Sequence, residues 1–196
     1  SGNARLGFRI NARHRLDATL LASRMNAGYD NTPYSVSRPV NDRSLNRLRT
    51  AGLSWAAQWS DVYSTRVSVT DSVNRYETTP SPYLTETKLR GYLWQNDFRW
   101  SAHRFSAALE RREDDLQNSP IDSSRSQDAL ALGYGLNTGR HTVQLNVRHD
   151  SDSEFGGKDT GSASYGYAFA SHWRATASVG TAFRAPTLYH RFSEYG

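Results

Sequence analysis

The chain has 196 residues, 37% of them hydrophobic, with five Trp, eleven Tyr and seven Phe; a polar average with this many aromatics suits a wall in which only alternate residues meet an apolar phase. The absence of cysteine excludes a disulfide framework and a thiolate metal site. The net charge is +5, but the arginines are scattered singly along the chain with no basic block, so nucleic acid is not an expected partner.

In chain order, Ala4, Leu6, Phe8, Ile10 and Ala12 alternate with Arg5, Gly7, Arg9 and Asn11, predicting a strand over 4–12. A short Arg13-His14-Arg15 link leads into a less regular strand over 16–25. Residues 26–46 are polar, with Gly28, Pro33 and Pro39, and read as a long loop. The pattern then repeats. Ala51, Leu53, Trp55, Ala57 and Trp59 share a face, Ser60-Asp61 turns the chain, and Tyr63, Thr65, Val67 and Val69 return it. A second long loop is predicted over 73–87. Tyr92, Trp94, Phe98 and Trp100 mark the fifth strand, Ser101-Ala102-His103 a tight link, and Phe105, Ala107 and Leu109 the sixth. After a third loop over 114–126, Leu130 to Leu136 forms a strand, Thr138-Gly139 a hairpin turn, and Val143, Leu145 and Val147 the eighth strand. A fourth loop over 150–161 precedes Ala163, Tyr165, Tyr167 and Phe169, and Ser171-His172 turns into a last strand from Trp173 to Phe183. At Arg184-Ala185-Pro186-Thr187 proline lacks a ladder donor, so regular pairing weakens there.

The expectation is an all-β chain: an antiparallel up-and-down transmembrane β-barrel segment of about ten strands, with short periplasmic turns alternating with long extracellular loops. Aromatics gather beside the short turns, at Trp59, Tyr63, Trp100, Phe105, Phe169 and Trp173, as amphipathic rings do at a membrane interface. A soluble antiparallel sandwich would show the same alternation, but strands of about 9 to 12 residues suit a tilted span better than its usual 5 or 6. No apolar run approaches the roughly 20 residues of a membrane helix, which excludes helical spanning only. The chain opens without a charged and then apolar leader, so a mature form or an internal fragment is expected.

The run Gly180-Thr181, Phe183, Arg184, Ala185-Pro186 resembles a block in the barrels of TonB-dependent outer-membrane receptors. Within that family it is most similar to cobalamin receptors, where an Ala-Pro-x-Leu run, here Ala185 to Leu188, is likewise followed by aromatics and a Tyr-Gly. His149-Asp150-Ser151-Asp152 followed by Glu154-Phe155-Gly156 resembles the same receptors' loop just upstream. Tyr29-Asp30, Pro33-Tyr34-Ser35 and Asp42 resemble one of their extracellular loops. The resemblance covers about residues 26–196.

The resemblance implies a place in the outer membrane of a Gram-negative bacterium, in contact with its lipid, and uptake of cobalamin or a related corrinoid. Uptake in the family is powered by the TonB complex through a plug domain and an N-terminal box, and neither is expected in this stretch. The family's barrels have about 22 strands, so this chain alone should not transport. The resemblance also implies that Tyr29, Asp30 and Asp42 supply part of a calcium site. Calcium takes about six to eight oxygens, so acidic residues of an earlier loop would have to complete it. Asn31 and Thr85 match substrate-contact positions. Read without the resemblance, Asp30 and Asp42 are solvated loop carboxylates, and Asn31 and Thr85 ordinary loop residues. A siderophore or haem receptor of the same superfamily is the alternative. An enzyme is a further one: Asp114-Asp115 and His149-Asp150 resemble the paired dyads of omptin proteases, although adjacent residues of an extended strand point to opposite faces.

Overall fold

The computed structural model describes residues 1–29, 42–80, 82–119 and 121–188. Its regular elements are ten strands: β1 (Gly2–Arg9), β2 (His14–Tyr29), β3 (Asp42–Gln58), β4 (Tyr63–Thr79), β5 (Tyr83–Trp100), β6 (His103–Asn118), β7 (Ile121–Thr138), β8 (His141–Asp152), β9 (Gly156–Ala170) and β10 (Trp173–Gly180). They form one sheet in chain order, each strand antiparallel to the next. Up-and-down order follows from short connections, since a hairpin leaves its second strand nowhere to pair but beside the first.

Alternation assigns each residue to a face, and register carries the assignment from strand to strand. Leu53 stands opposite Ala18 and Val69, and Val69 opposite Tyr92. Leu132 stands opposite Ala107 and Val147, and Tyr165 opposite Val143 and Ala177. This face carries most of the exposed large hydrophobics, among them Leu6, Phe8, Leu53, Trp94, Leu132, Leu145 and Val179. The other face carries Arg66, Gln95, Arg104, Gln144 and Asn146 around a hollow of about 1360 Å³ reaching from β1 to β8. The sheet therefore curls with its polar face inward. Leu132, Leu145, Tyr165 and Val179 lie on the outward side, and Gln144, Arg148, Ser164 and Ser178 on the inward side, as alternation predicts. The irregularity of β2 has a simple cause: Leu20 faces outward, while Leu21 and Met25 fall on the inward side.

The outward apolar band ends at the short turns in an aromatic border. Trp59 packs edge-on against Trp55 and His14, and its indole N–H donates to Thr65 Oγ1 at 2.9 Å. Phe105, Tyr134 and His103 make a second cluster, with His103 Nδ1 and the Tyr134 hydroxyl 2.9 Å apart. Rings with one polar atom and an apolar body suit an edge between phases.

The predicted long loops need correction. Residues read as loop over 73–87, 114–126 and 150–161 are mostly strand: β4 runs on to Thr79 and β5 starts at Tyr83, β6 and β7 reach Asn118 and Ile121, and β8 and β9 meet across Ser153, Glu154 and Phe155. Of the 26–46 loop, β2 takes residues up to Tyr29 and β3 those from Asp42, so Thr85, Tyr29 and Asp42 all belong to strands. Strands β3 to β7 have 16 to 18 residues, longer than predicted, while β1 is shorter and ends at Arg9. The cause is that both faces are polar in these extensions, so alternation has no contrast to display. Turn residues remain where the chain reverses, with Gly139 at φ 50° and Gly156 at φ 68°.

Where the band gives way to charge, the border steps across the register. The row that starts at Arg24 continues through Arg47, Arg75, Glu86 and Gln117 to Asp122 on β7. Yet the outward charge nearest the band is Arg24 on β2 and Asp128 on β7, six residues along from Asp122. Six residues advance about 20 Å along the strands while five strand steps cross about 24 Å, so a level border requires strands tilted by ~40°. That is the tilt of a barrel wall. Among the described residues β1 and β10 pair on one side only, and the sheet is open.

Candidate functional site

The inward face carries a buried polar cluster at the end away from the aromatic border. Arg125 on β7 donates to Asp114 Oδ2 at 2.6 Å, its Nε lies 3.7 Å from Asp152 Oδ2, and Arg112 donates to Asp114 Oδ1 at 2.7 Å. The side chains of Arg125, Asp114 and Asp152 are 6%, 7% and 2% exposed, so these three charges meet with little help from water, while Arg112, half exposed, adds a second cation on Asp114 from the solvent side. Asp152 Oδ1 also accepts from the backbone N–H groups of Glu154 and Phe155, fixing the β8–β9 turn. A second network lies alongside on β6 to β8, where Arg148 bridges Glu110 and Asp150, and Asp150 also accepts from Gln127.

The segment after β10 returns over this face. Arg125 Nη1 donates to the Pro186 carbonyl at 2.7 Å, and Leu188 is buried, as is Leu116 of β6 on the same face as the cluster. The Ala185-Pro186 block that stands out in the sequence is thus held against the inward face at the end away from the short turns, three strands from where β10 ends. Strand β10 ends at Gly180, short of the predicted Phe183 and six residues before this proline, so the Pro186 carbonyl has no ladder partner among the described residues and takes the Arg125 side chain instead.

Tyr29 and Asp42 form the last pair of the β2–β3 ladder on the inward face, and Asp42 is buried. Asp30 and Asn31 lie outside the described residues. Among the described residues no three His, Asp or Glu side chains converge on a metal position. The described part of the expected calcium set therefore amounts to one carboxylate and the backbone carbonyl of Tyr29, which cannot hold the ion by themselves. Thr85 lies on the inward face opposite Tyr76, 8% exposed, with its hydroxyl buried and lacking a hydrogen-bond partner among the described residues. Beside it on the same face, Tyr83 stacks edge-on against Tyr76 and accepts from Asn118 at 3.0 Å.

The protease arrangement does not assemble. Asp114 is inward and neutralised by two arginines, while Asp115 is outward opposite Lys88. His149 is outward, 2.6 Å from Asp159, while Asp150 is inward on Arg148. The two dyads are split between faces, as adjacent strand residues must be.

The Arg125 cluster itself escaped sequence reasoning because it falls in segments read as loops. A signal was there: Arg112-x-Asp114, Arg148-x-Asp150 and Asp150-x-Asp152 place charges two apart, on one face of a strand. On the outward face above the band, Glu77 and then Glu86 raise the pKa of Arg75, and Glu113 and Asp128 raise that of Arg111, through hydrogen bonds and charge.

No family model matches the sequence. In fold the chain is similar to the siderophore receptor PirA from Pseudomonas aeruginosa, with a TM-score of 0.81 at 14% identity over 95% of this chain. The match takes in 34% of that receptor, so the chain spans about a third of its length. The chain shares the antiparallel up-and-down fold of part of that receptor's barrel.

Proposed function

We propose that this chain is part of the barrel wall of a TonB-dependent receptor in the outer membrane of a Gram-negative bacterium, and that the receptor takes up cobalamin or a related corrinoid. The observation that carries the membrane reading is the outward apolar band, bordered by aromatics on one side and by charge on the other. Its stepped edge is level only on tilted strands. The likeness to PirA supports a receptor rather than another kind of barrel. In this reading the buried Arg125 cluster shapes the mouth of the lumen, and ligand and plug occupy the hollow side, with TonB acting through the plug. The cobalamin assignment rests on the resemblance of the Tyr29 to Asp42 loop and the Phe155-Gly156 turn. Asp30, Asp42 and the Tyr29 carbonyl supply part of a calcium site, and Asn31 and Thr85 are substrate contacts, Thr85 once the buried hydroxyl is uncovered.

A siderophore is the second reading, favoured by the name of the similar receptor and by the arginines on the inward face, which suit an anionic chelate. The deciding experiment uses the intact receptor in outer-membrane vesicles. Saturable binding of cyanocobalamin, with uptake that depends on TonB in cells, is the expected result. Binding of ferric siderophores without cyanocobalamin would move the assignment to the second reading, and absence from the outer-membrane fraction would end both.

A further inference from the structure

Above the apolar band, outward arginines on β4 to β6 have acidic partners. Asp71 holds Arg90, Glu77 and Glu86 hold Arg75, and Glu113 and Asp128 hold Arg111. Strands β2 and β3 differ. Arg24, Arg47 and Arg49 are exposed and have no acidic partner among the described residues. Register places Arg24 directly opposite Arg47, with Arg49 on the diagonal. Across the next ladder Arg47 faces Arg75, whose acids are already engaged.

Like charges opposed on one face destabilise a strand pair, so this arrangement asks for an anion between the guanidinium groups. Its position says which kind. Arg24 and Arg49 are the last outward charges on β2 and β3 before Ala22, Leu20, Ala51 and Leu53, so they stand at the edge of the apolar band. Ala22 lies opposite Arg49 and, on its other side, opposite Gly2, which leaves low ground below the three long side chains. A guanidinium fork matches phosphate oxygens in pairs, and basic clusters at the membrane surface attract anionic headgroups.

We propose that Arg24, Arg47 and Arg49 form a binding site for the phosphate of a lipid headgroup in the leaflet at the loop end of the barrel. The inference rests on the membrane reading above. The occupant is a headgroup and not free phosphate, because the acyl chains of such a lipid lie along the outward band just below, over Leu20 and Leu53. The site also keeps the opposed arginines compatible with the β2–β3 ladder.

The test uses the intact receptor reconstituted into phosphatidylcholine vesicles, with and without a phosphorylated glycolipid of the lipid A type, and counts retained glycolipid by native mass spectrometry. Each arginine is expected to contribute about fivefold, so R24Q/R47Q/R49Q should bind roughly a hundredfold more weakly and R47Q alone about fivefold. R47K should bind better than R47Q, and R111Q, which removes an ion-paired arginine of the same face, should match the unmodified protein. If the triple variant does not fold, the R47Q and R47K pair decides. Equal retention in R47Q and the unmodified receptor would overturn the site. Displacement by millimolar orthophosphate would make it a free-phosphate site and overturn it equally. Insertion without preference for the phosphorylated lipid refutes this proposal alone, whereas failure to insert at all refutes the membrane reading beneath it.

Discussion

Arg125 shows how much one residue can organise. Its guanidinium neutralises Asp114, faces Asp152 and holds the Pro186 carbonyl, so the β6–β7 ladder, the β8–β9 turn and the segment after β10 meet on one side chain. Removing one member of a buried pair leaves an uncompensated charge, which costs about 3 to 5 kcal/mol. Arg125→Ala should fall at the lower end, near 3 kcal/mol, because Arg112 still holds Asp114. Arg112→Ala, half exposed, should cost about 1 kcal/mol or less. Hydrogen exchange at the β8–β9 turn and cleavage of the 181–188 segment by protease should both rise in Arg125→Ala and hardly change in Arg112→Ala. Equal protection in the two variants would remove the latch.

At the scale of the element, a strand here is two strands end to end. The half beside the short turns is apolar outward and polar inward, as in β8, where Leu145 and Val147 face out and Gln144 and Asn146 line the hollow. The other half is polar on both faces and is held by its ladder and by cross-strand ion pairs such as Arg90–Asp71 and Arg111–Asp128. Exposed pairs of this kind add little, so the ladder and the buried inward cluster hold the extension. The two faces of β8 should therefore respond differently to charge. Leu145→Arg places a cation in the middle of the apolar band and should cost about 2 to 4 kcal/mol, whereas Gln144→Arg, on the hollow side, should cost little. Denaturant titration of the intact receptor refolded into lipid vesicles measures both, and similar losses at the two positions would contradict the assignment of faces.

For the whole molecule, the open edges are decisive. Strands β1 and β10 each keep one row of N–H and C=O groups unpaired within the described sheet, and lipid offers such groups no partner. The chain by itself is therefore expected to insert poorly as a monomer. Sedimentation in detergent micelles should show pairs or aggregates, and a stable monomer in a bilayer would mean that the sheet can close on itself. In the complete receptor the proposed calcium site gives a second whole-molecule prediction. If calcium ties down the segment between Tyr29 and Asp42, calcium tightens cobalamin binding and cobalamin tightens calcium by the same factor. Asp30→Ala and Asp42→Ala should lose most of that coupling, while Asp61→Ala, in the β3–β4 turn at the opposite end, keeps it. Cobalamin titrations with calcium and with chelator test this; calcium-independent binding in the unmodified receptor would remove the metal.

The sequence by itself determined the strand count, the up-and-down order and the two faces wherever one face is apolar. Leu53, Leu132, Leu145 and Val179 announce themselves through contrast with their neighbours, and a period of two leaves no other assignment. It also marked the short turns, because glycine and the border aromatics are local signals. Only the tertiary structure decided the rest. The extensions around Tyr29, Asp42, Thr85, Asp114 and Asp152 read as loops, since a strand polar on both faces has no periodicity, and its pairing depends on partners many residues away. The union of Arg125 with Asp114, Asp152 and Pro186 is likewise invisible in one dimension. It joins positions up to 61 residues apart, brought together by the curl of the sheet and by the return of the segment after β10 over its hollow side.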